Sequence, residues 1–153
     1  MRKYQLPAFL EGKITQAHYK RWLHRKAMAH VRRDRKRGSK EVTNSEYKLW
    51  IHRAVELCNG KDTYTQEELD WTLLSEYDND ESKMHRGEYK KLFALLPSVD
   101  HVCNITGPPE FKICAWRTND AKNDLSYQDF VNLCRKVIRV ADNVSSKDEN
   151  PGF

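Results

Sequence analysis

The sequence has little of what marks several large classes of protein. No apolar run approaches the roughly 20 residues that a membrane-crossing helix needs, so no membrane association is expected. Its first residues, Met1-Arg2-Lys3-Tyr4-Gln5-Leu6-Pro7, lack the apolar stretch of a secretory signal, and a cytoplasmic location is the expectation. The four cysteines, Cys58, Cys103, Cys114 and Cys134, form no C-x-x-C pair, so no zinc knuckle is written in the chain. Cys58 and Cys134 fall on apolar helix stripes and read as reduced core thiols, and Cys103 and Cys114 read as two buried thiols across a hairpin. Acidic residues are scarce at the front. Residues 1–53 carry 15 Lys/Arg against 4 Asp/Glu, whereas the rest carries 12 against 18. That asymmetry predicts a basic arm for a polyanion on a mildly acidic body. At 153 residues, with 39% hydrophobic, 32% charged and 10% aromatic side chains, the chain suits one small domain with a helical appendage.

What is present is organised in three stretches. Residues 1–60 read as a basic helical region, 61–142 as a mixed core and 143–153 as a frayed polar tail. Residues 1–14 look like an extended lead-in. Tyr19, Trp22, Leu23, Ala27 and His30 recur at three- and four-residue steps, which predicts a helix over 15–37. Its other surfaces and its C-terminal end are filled by basic residues, including Arg25, Arg32, Arg33, Arg35, Lys36 and Arg37, before Gly38-Ser39 breaks it. Thr43-Asn44-Ser45-Glu46 is a capping box, and Tyr47, Trp50, Ile51, Ala54, Val55 and Cys58 form the stripe of a second helix that Asn59-Gly60 ends. A short strand is expected over 61–65, an acidic loop over 77–82, and a helix over 88–95 that stops before Pro97.

The last third changes character. Residues 98–103 alternate like a strand, 104–109 are turn-rich with Gly107-Pro108-Pro109, and 111–116 read as a second strand. Thr118-Asn119-Asp120-Ala121-Lys122 forms a helical turn. A final amphipathic helix begins near Ser126, with Phe130, Leu133, Cys134, Val137, Ile138 and Ala141 as its stripe. The order is strand, loop, strand, helix.

Within that order, Asp100-His101 lies on the first strand. Asn119-Asp120-Ala121-Lys122-Asn123-Asp124 follows the second strand, with Ser126 and Phe130 beyond it. This arrangement resembles the HNH, or ββα-metal, endonucleases, whose hallmark is an Asp-His or His-His pair on one strand, then a second strand, then Asn at the start of a helix. The resemblance covers about residues 61–140 and is specific over 98–130. Asp62-Thr63-Tyr64-Thr65 resembles the knuckle that precedes the motif in that family. The resemblance implies an α+β fold, with N-terminal helices packed on a C-terminal ββα-metal hairpin-helix core. It implies a metal-dependent endonuclease that hydrolyses DNA, with RNA not excluded as a substrate. One divalent ion, Mg²⁺ by preference and Mn²⁺, Ni²⁺ or Zn²⁺ as alternatives, would be held by Asp100 and Asn119. His101 would be the general base, a role that suits a group titrating near neutrality. Lys122 or Arg117 would contact the phosphate, and the basic helix would grip the backbone without reading sequence.

The chain departs from that pattern at Glu110, where the family carries a second Asn that pins the loop bearing the base. Glu110 either takes over that pinning, adds a carboxylate to the metal site, or marks a degenerate scaffold; Asn104 on the short loop is a candidate substitute for the missing Asn. Successive strand residues face opposite ways, so Asp100 and His101 share a target only if the strand end bulges or the ion lies at its edge. The rival reading is a non-catalytic nucleic-acid-binding protein that retains a degenerate HNH scaffold.

Overall fold

The computed structural model describes residues 3–39, 41–102 and 108–148. Among these residues the fold is mixed α+β. It comprises helices α1 (Gln16–Lys36), α2 (Asn44–Cys58), α3 (Asn79–Met84) and α4 (Arg86–Leu92), strands β1 (Pro97–Val102) and β2 (Glu110–Ala115), then α5 (Trp116–Lys122) and α6 (Tyr127–Asp148). The strands pair antiparallel as a two-stranded sheet. Two compact units divide the chain, Met1–Ala121 and Lys122–Phe153.

Helix α1 begins where its sequence says it should. The Thr15 side chain accepts from the backbone N–H of His18, satisfying one of the donors a helix start leaves open. Tyr19, Trp22, Leu23, Ala27, His30 and Val31 are buried on one side. Trp22 meets Trp71 edge-on at 5.8 Å between ring centres, and the two indoles anchor the core with Ile51, Val55 and Leu69. Burial of each such side chain contributes about 1.5–3 kcal/mol. Helix α2 starts in a complete capping box: Glu46 N–H donates to Thr43 Oγ1, and Thr43 N–H donates back to the Glu46 carboxylate. Its Tyr47, Ile51 and Val55 pack toward α1 and β2.

Four expectations need correction. The lead-in is not merely extended, because Leu10 and Ile14 join the core and the chain turns through a 3-10 segment at Ala8–Leu10 to bring them there. Residues 61–65 form no strand. A single bridge joins Lys61 to Glu68, and Asp62 bends the intervening chain. The acidic stretch 77–82 is helical at α3 rather than looped. The Asp78 carboxylate caps the N–H groups of Asp80 and Glu81, and acidic side chains in a first turn suit the positive end of the helix dipole. Finally, α6 continues through Asp148, past the expected frayed boundary, and its Cys134 is exposed rather than a core thiol. Cys114 is buried and Cys58 half-buried, as free thiols. Cys103, Asn104 and Gly107 lie outside the described residues.

The end of α2 depends on backbone freedom. Asn59 and Gly60 both have positive φ, 47° and 87°. A Cβ on Gly60 would sit 3.3 Å from Phe9 Cδ2, and the Gly60 carbonyl accepts from the Trp71 indole. Gly60→Ala is therefore expected to destabilise the fold by about 1–3 kcal/mol. A urea melt matching that of the parent would show the turn to be unstrained.

No helix among the described residues is long and apolar enough to cross a membrane.

Candidate functional site

The register of the hairpin decides which side chains can act together. Ser98 pairs with Cys114, Asp100 with Lys112 and Val102 with Glu110, which sets these six on one face. Val99 pairs with Ile113 and His101 with Phe111, on the other face. The register is regular through Val102, so Asp100 and His101 project to opposite faces with no bulge between them.

The Asp100 face carries the hard oxygen donors. Asp100 is buried, and its Oδ2 accepts from the Tyr64 hydroxyl at 2.5 Å. Burial and the neighbouring Asp100 carboxylate push the Tyr64 phenol well above its usual range, so it stays a donor. Asn119, near the middle of α5, donates from Nδ2 to Ser98 Oγ at 3.0 Å. Since Ser98 and Asp100 share a face, Asn119 and Asp100 do as well. Glu110 lies on this same face, half-exposed, with its carboxylate 3.7 Å from Lys112 Nζ. It does not stand on the His101 side, so it does not hold the His101 ring.

The His101 face is built by the N-terminal helices. The imidazole stacks on Phe111 with 4.6 Å between ring centres. His30 of α1 and Tyr47 of α2 meet it edge-on, at 6.0 and 5.7 Å. His101 Nδ1 lies 2.8 Å from Asp34 Oδ2, and the same oxygen accepts from the Tyr47 hydroxyl at 2.7 Å. Burial lowers the His101 pKa, and the Asp34 charge offsets only part of that shift. The lowered pKa favours the uncharged ring, whose Nδ1 faces the Asp34 carboxylate. His30 is also held neutral, its pKa pushed down to about 3 by burial and by Arg33.

A third element ties the two strands to α5. The fully buried Asp62 carboxylate accepts from the N–H groups of Tyr64 and Thr65 through Oδ1. Through Oδ2 it accepts from Ala115 N–H at 2.8 Å and Thr118 Oγ1 at 2.7 Å. Thr63 N–H and Oγ1 also donate to the Ile113 carbonyl. The knuckle therefore lies along β2 and fixes where α5 starts, and with it Asn119. No strand among the described residues pairs with the other edge of β1.

The remaining expected site residues fall as follows. Arg117 is engaged by Glu67, its Nη2 within 2.6 Å of both carboxylate oxygens on the surface. Lys122, the last residue of α5, is buried rather than presented to solvent as a phosphate contact requires. Arg25, Arg32, Arg33, Arg35, Lys36 and Arg37 are exposed. Arg21, Arg25, Arg32 and Lys36, spaced by four, seven and four, share one face of α1 away from the buried stripe. Arg33 reaches His30 Nδ1, and Arg35 donates to the Val42 carbonyl.

Sequence reasoning missed Asp34, Tyr47, Tyr64 and Ser98 as members of the site. Asp34 left a trace. It is the one acid within residues 32–37, and it continues the step from Tyr19 through Leu23, Ala27 and His30 on the buried side.

Among the described residues, no group of three or more His, Cys, Asp or Glu side chains gathers to hold a metal. The donor set on the Asp100 face, a carboxylate and an amide oxygen, nevertheless suits a hard cation such as Mg²⁺, which keeps several of its waters and takes few protein ligands. Compared with protein-family models, with curated proteins and with solved structures, the chain matches none.

Proposed function

We propose that this chain is an HNH-type, metal-dependent endonuclease that hydrolyses DNA phosphodiester bonds. Asp100 and Asn119 would hold one divalent ion, whose chemistry is to orient a phosphate and stabilise the leaving oxygen. The observation that carries the reading is the composition of the hairpin's two faces at one end of β1. One face offers Asp100 and, two positions along the strand, Ser98 with Asn119 bonded to it. The other offers a neutral imidazole whose Nδ1 is bound to a carboxylate. Asp100 and His101 are two residues and one residue from the last residue of β1, and the outer edge of that strand is unpaired by any described strand. In this reading the phosphate would lie along that edge and be met by side chains from both faces, in place of a bulge.

In this reading His101 Nε2 takes a proton from a water molecule, and the resulting hydroxide attacks phosphorus. One P–O bond forms, the bond to the leaving oxygen breaks, and solvent returns a proton to that oxygen. The exposed cations of α1 supply backbone contacts that position the duplex without specifying its sequence. Arg117 is a candidate for a further phosphate contact, and Glu110 for an added carboxylate beside the ion.

The alternative, a non-catalytic nucleic-acid-binding protein on a degenerate scaffold, is favoured by the regular register that separates Asp100 from His101 and by Glu110. Supercoiled plasmid and a single-stranded RNA, each incubated with Mg²⁺, Mn²⁺, Ni²⁺, Zn²⁺ or EDTA, separate the two. Metal-dependent nicking that EDTA stops is the expected result. Binding that weakens steeply with salt, without cleavage in any metal, would establish the alternative.

A further inference from the structure

We propose that Asp34, a residue of the basic helix outside the hairpin and α5, is the positioning residue for His101, and that it does for this chain what Glu110 is placed too far round the hairpin to do. The inference rests on the nuclease reading for its catalytic meaning, but its geometric content stands without it. Three observations carry it. The contact is specific, with His101 Nδ1 2.8 Å from Asp34 Oδ2. The carboxylate is itself fixed, because it is buried and its Oδ2 also accepts from Tyr47, which is buried too. The ring cannot swing away, since Phe111 stacks on one side of it while His30 and Tyr47 meet it edge-on.

The chemical consequence follows from donor and acceptor inventory. A carboxylate oxygen only accepts, so the ring nitrogen facing it must carry the hydrogen. For a neutral imidazole this leaves the lone pair on Nε2. A ring free to rotate would divide its time among orientations and tautomers, and only a fraction would present an acceptor to a water molecule. Asp34 therefore selects both the orientation and the tautomer of the base. It also couples two parts of the molecule, since Asp34 sits between Arg33 and Arg35 on the helix proposed to grip DNA.

The test combines kinetics with a spectroscopic signature. Asp34→Asn keeps the side-chain volume but presents an amide that donates as well as accepts. In plasmid nicking, kcat is expected to fall about 10²-fold, with KM changing only slightly, as expected for a misplaced catalytic group. Long-range ¹H–¹⁵N correlation spectra at mildly alkaline pH should show His101 protonated on Nδ1 in the parent and shifted toward Nε2 protonation in Asp34→Asn. Tyr47→Phe removes the other donor but leaves the carboxylate, so the Nδ1–H tautomer should persist there. This keeps the inference testable if Asp34→Asn does not fold. Parent-like kcat in Asp34→Asn would overturn the inference, as would an Nε2–H tautomer in the parent or a lost kcat with an unchanged tautomer. If the parent cuts nothing in any metal, the nuclease reading fails while the tautomer still decides the positioning claim.

Discussion

Asp62→Ala is expected to cost about 3–5 kcal/mol, the largest stability loss from any single side chain of the knuckle. Its carboxylate is fully buried and accepts four hydrogen bonds, from Tyr64 N–H, Thr65 N–H, Ala115 N–H and Thr118 Oγ1. A carboxylate is the side chain that can do this, because it offers about four acceptor positions and no donor. Truncation leaves the Ala115 N–H and the Thr118 hydroxyl facing a small void, and each buried donor left unsatisfied costs about 1–3 kcal/mol. Against a total stability of about 5–15 kcal/mol for a domain of this size, that loss is severe. Asp62→Asn should fall between the parent and alanine, since one amide oxygen can keep one pair of donors while its NH₂ confronts the other. Urea melts of the three proteins measure this order. An alanine variant within about 1 kcal/mol of the parent would mean that the knuckle does not hold the hairpin to α5, and that Asn119 is placed by other contacts.

The parts of the fold that were legible in the sequence are those set by short-range chemistry. The α1 boundaries follow from Thr15 as a capping residue and from Gly38 beyond Arg37, and the α2 start from the Thr43 and Glu46 box. The two strands were found within one residue of their limits because alternation is a strong local signal. What was not legible depends on partners distant in sequence. The 61–65 stretch has strand-like composition, yet Asp62 finds donors 53 and 56 residues away, and satisfying them bends the chain. The acidic 77–82 stretch reads as a loop by charge, but Asp78 converts it to a helix start. For the candidate site, the sequence order brought Asp100 and Asn119 to one face, whereas the partner of His101 could not be read from it. Asp34 sits in a run of cations that suggests a solvated helix end, and only the packing of α1 against the hairpin turns it inward. Glu110 was a candidate for the pinning role by position in the motif. The pairing of Glu110 with Val102 places it on the opposite face from the base.

His101→Ala is expected to lower the rate of metal-dependent nicking by about 10²–10⁴-fold, the contribution typical of a positioned general base, while leaving DNA affinity and its salt dependence unchanged. The separation follows from where the groups lie. The cations proposed to bind the backbone are the exposed residues of α1, and Arg21, Arg25, Arg32 and Lys36 share a face away from the buried stripe; the ring bonds Asp34, which faces inward. Loss of the ring does remove the Phe111 stack and leaves Asp34 with Tyr47, so the alanine variant will also melt earlier. Rates must therefore be compared well below both transitions. His101→Gln addresses the same concern from the other side. Its amide can still donate to Asp34 and fill much of the ring's volume, but it offers no basic nitrogen to a water molecule. Both variants should be similarly slow although they differ in stability, a pattern that a purely structural role for His101 does not produce. If His101→Gln cuts within a few-fold of the parent, the base is another group, and the Asp100 face alone must account for any hydrolysis.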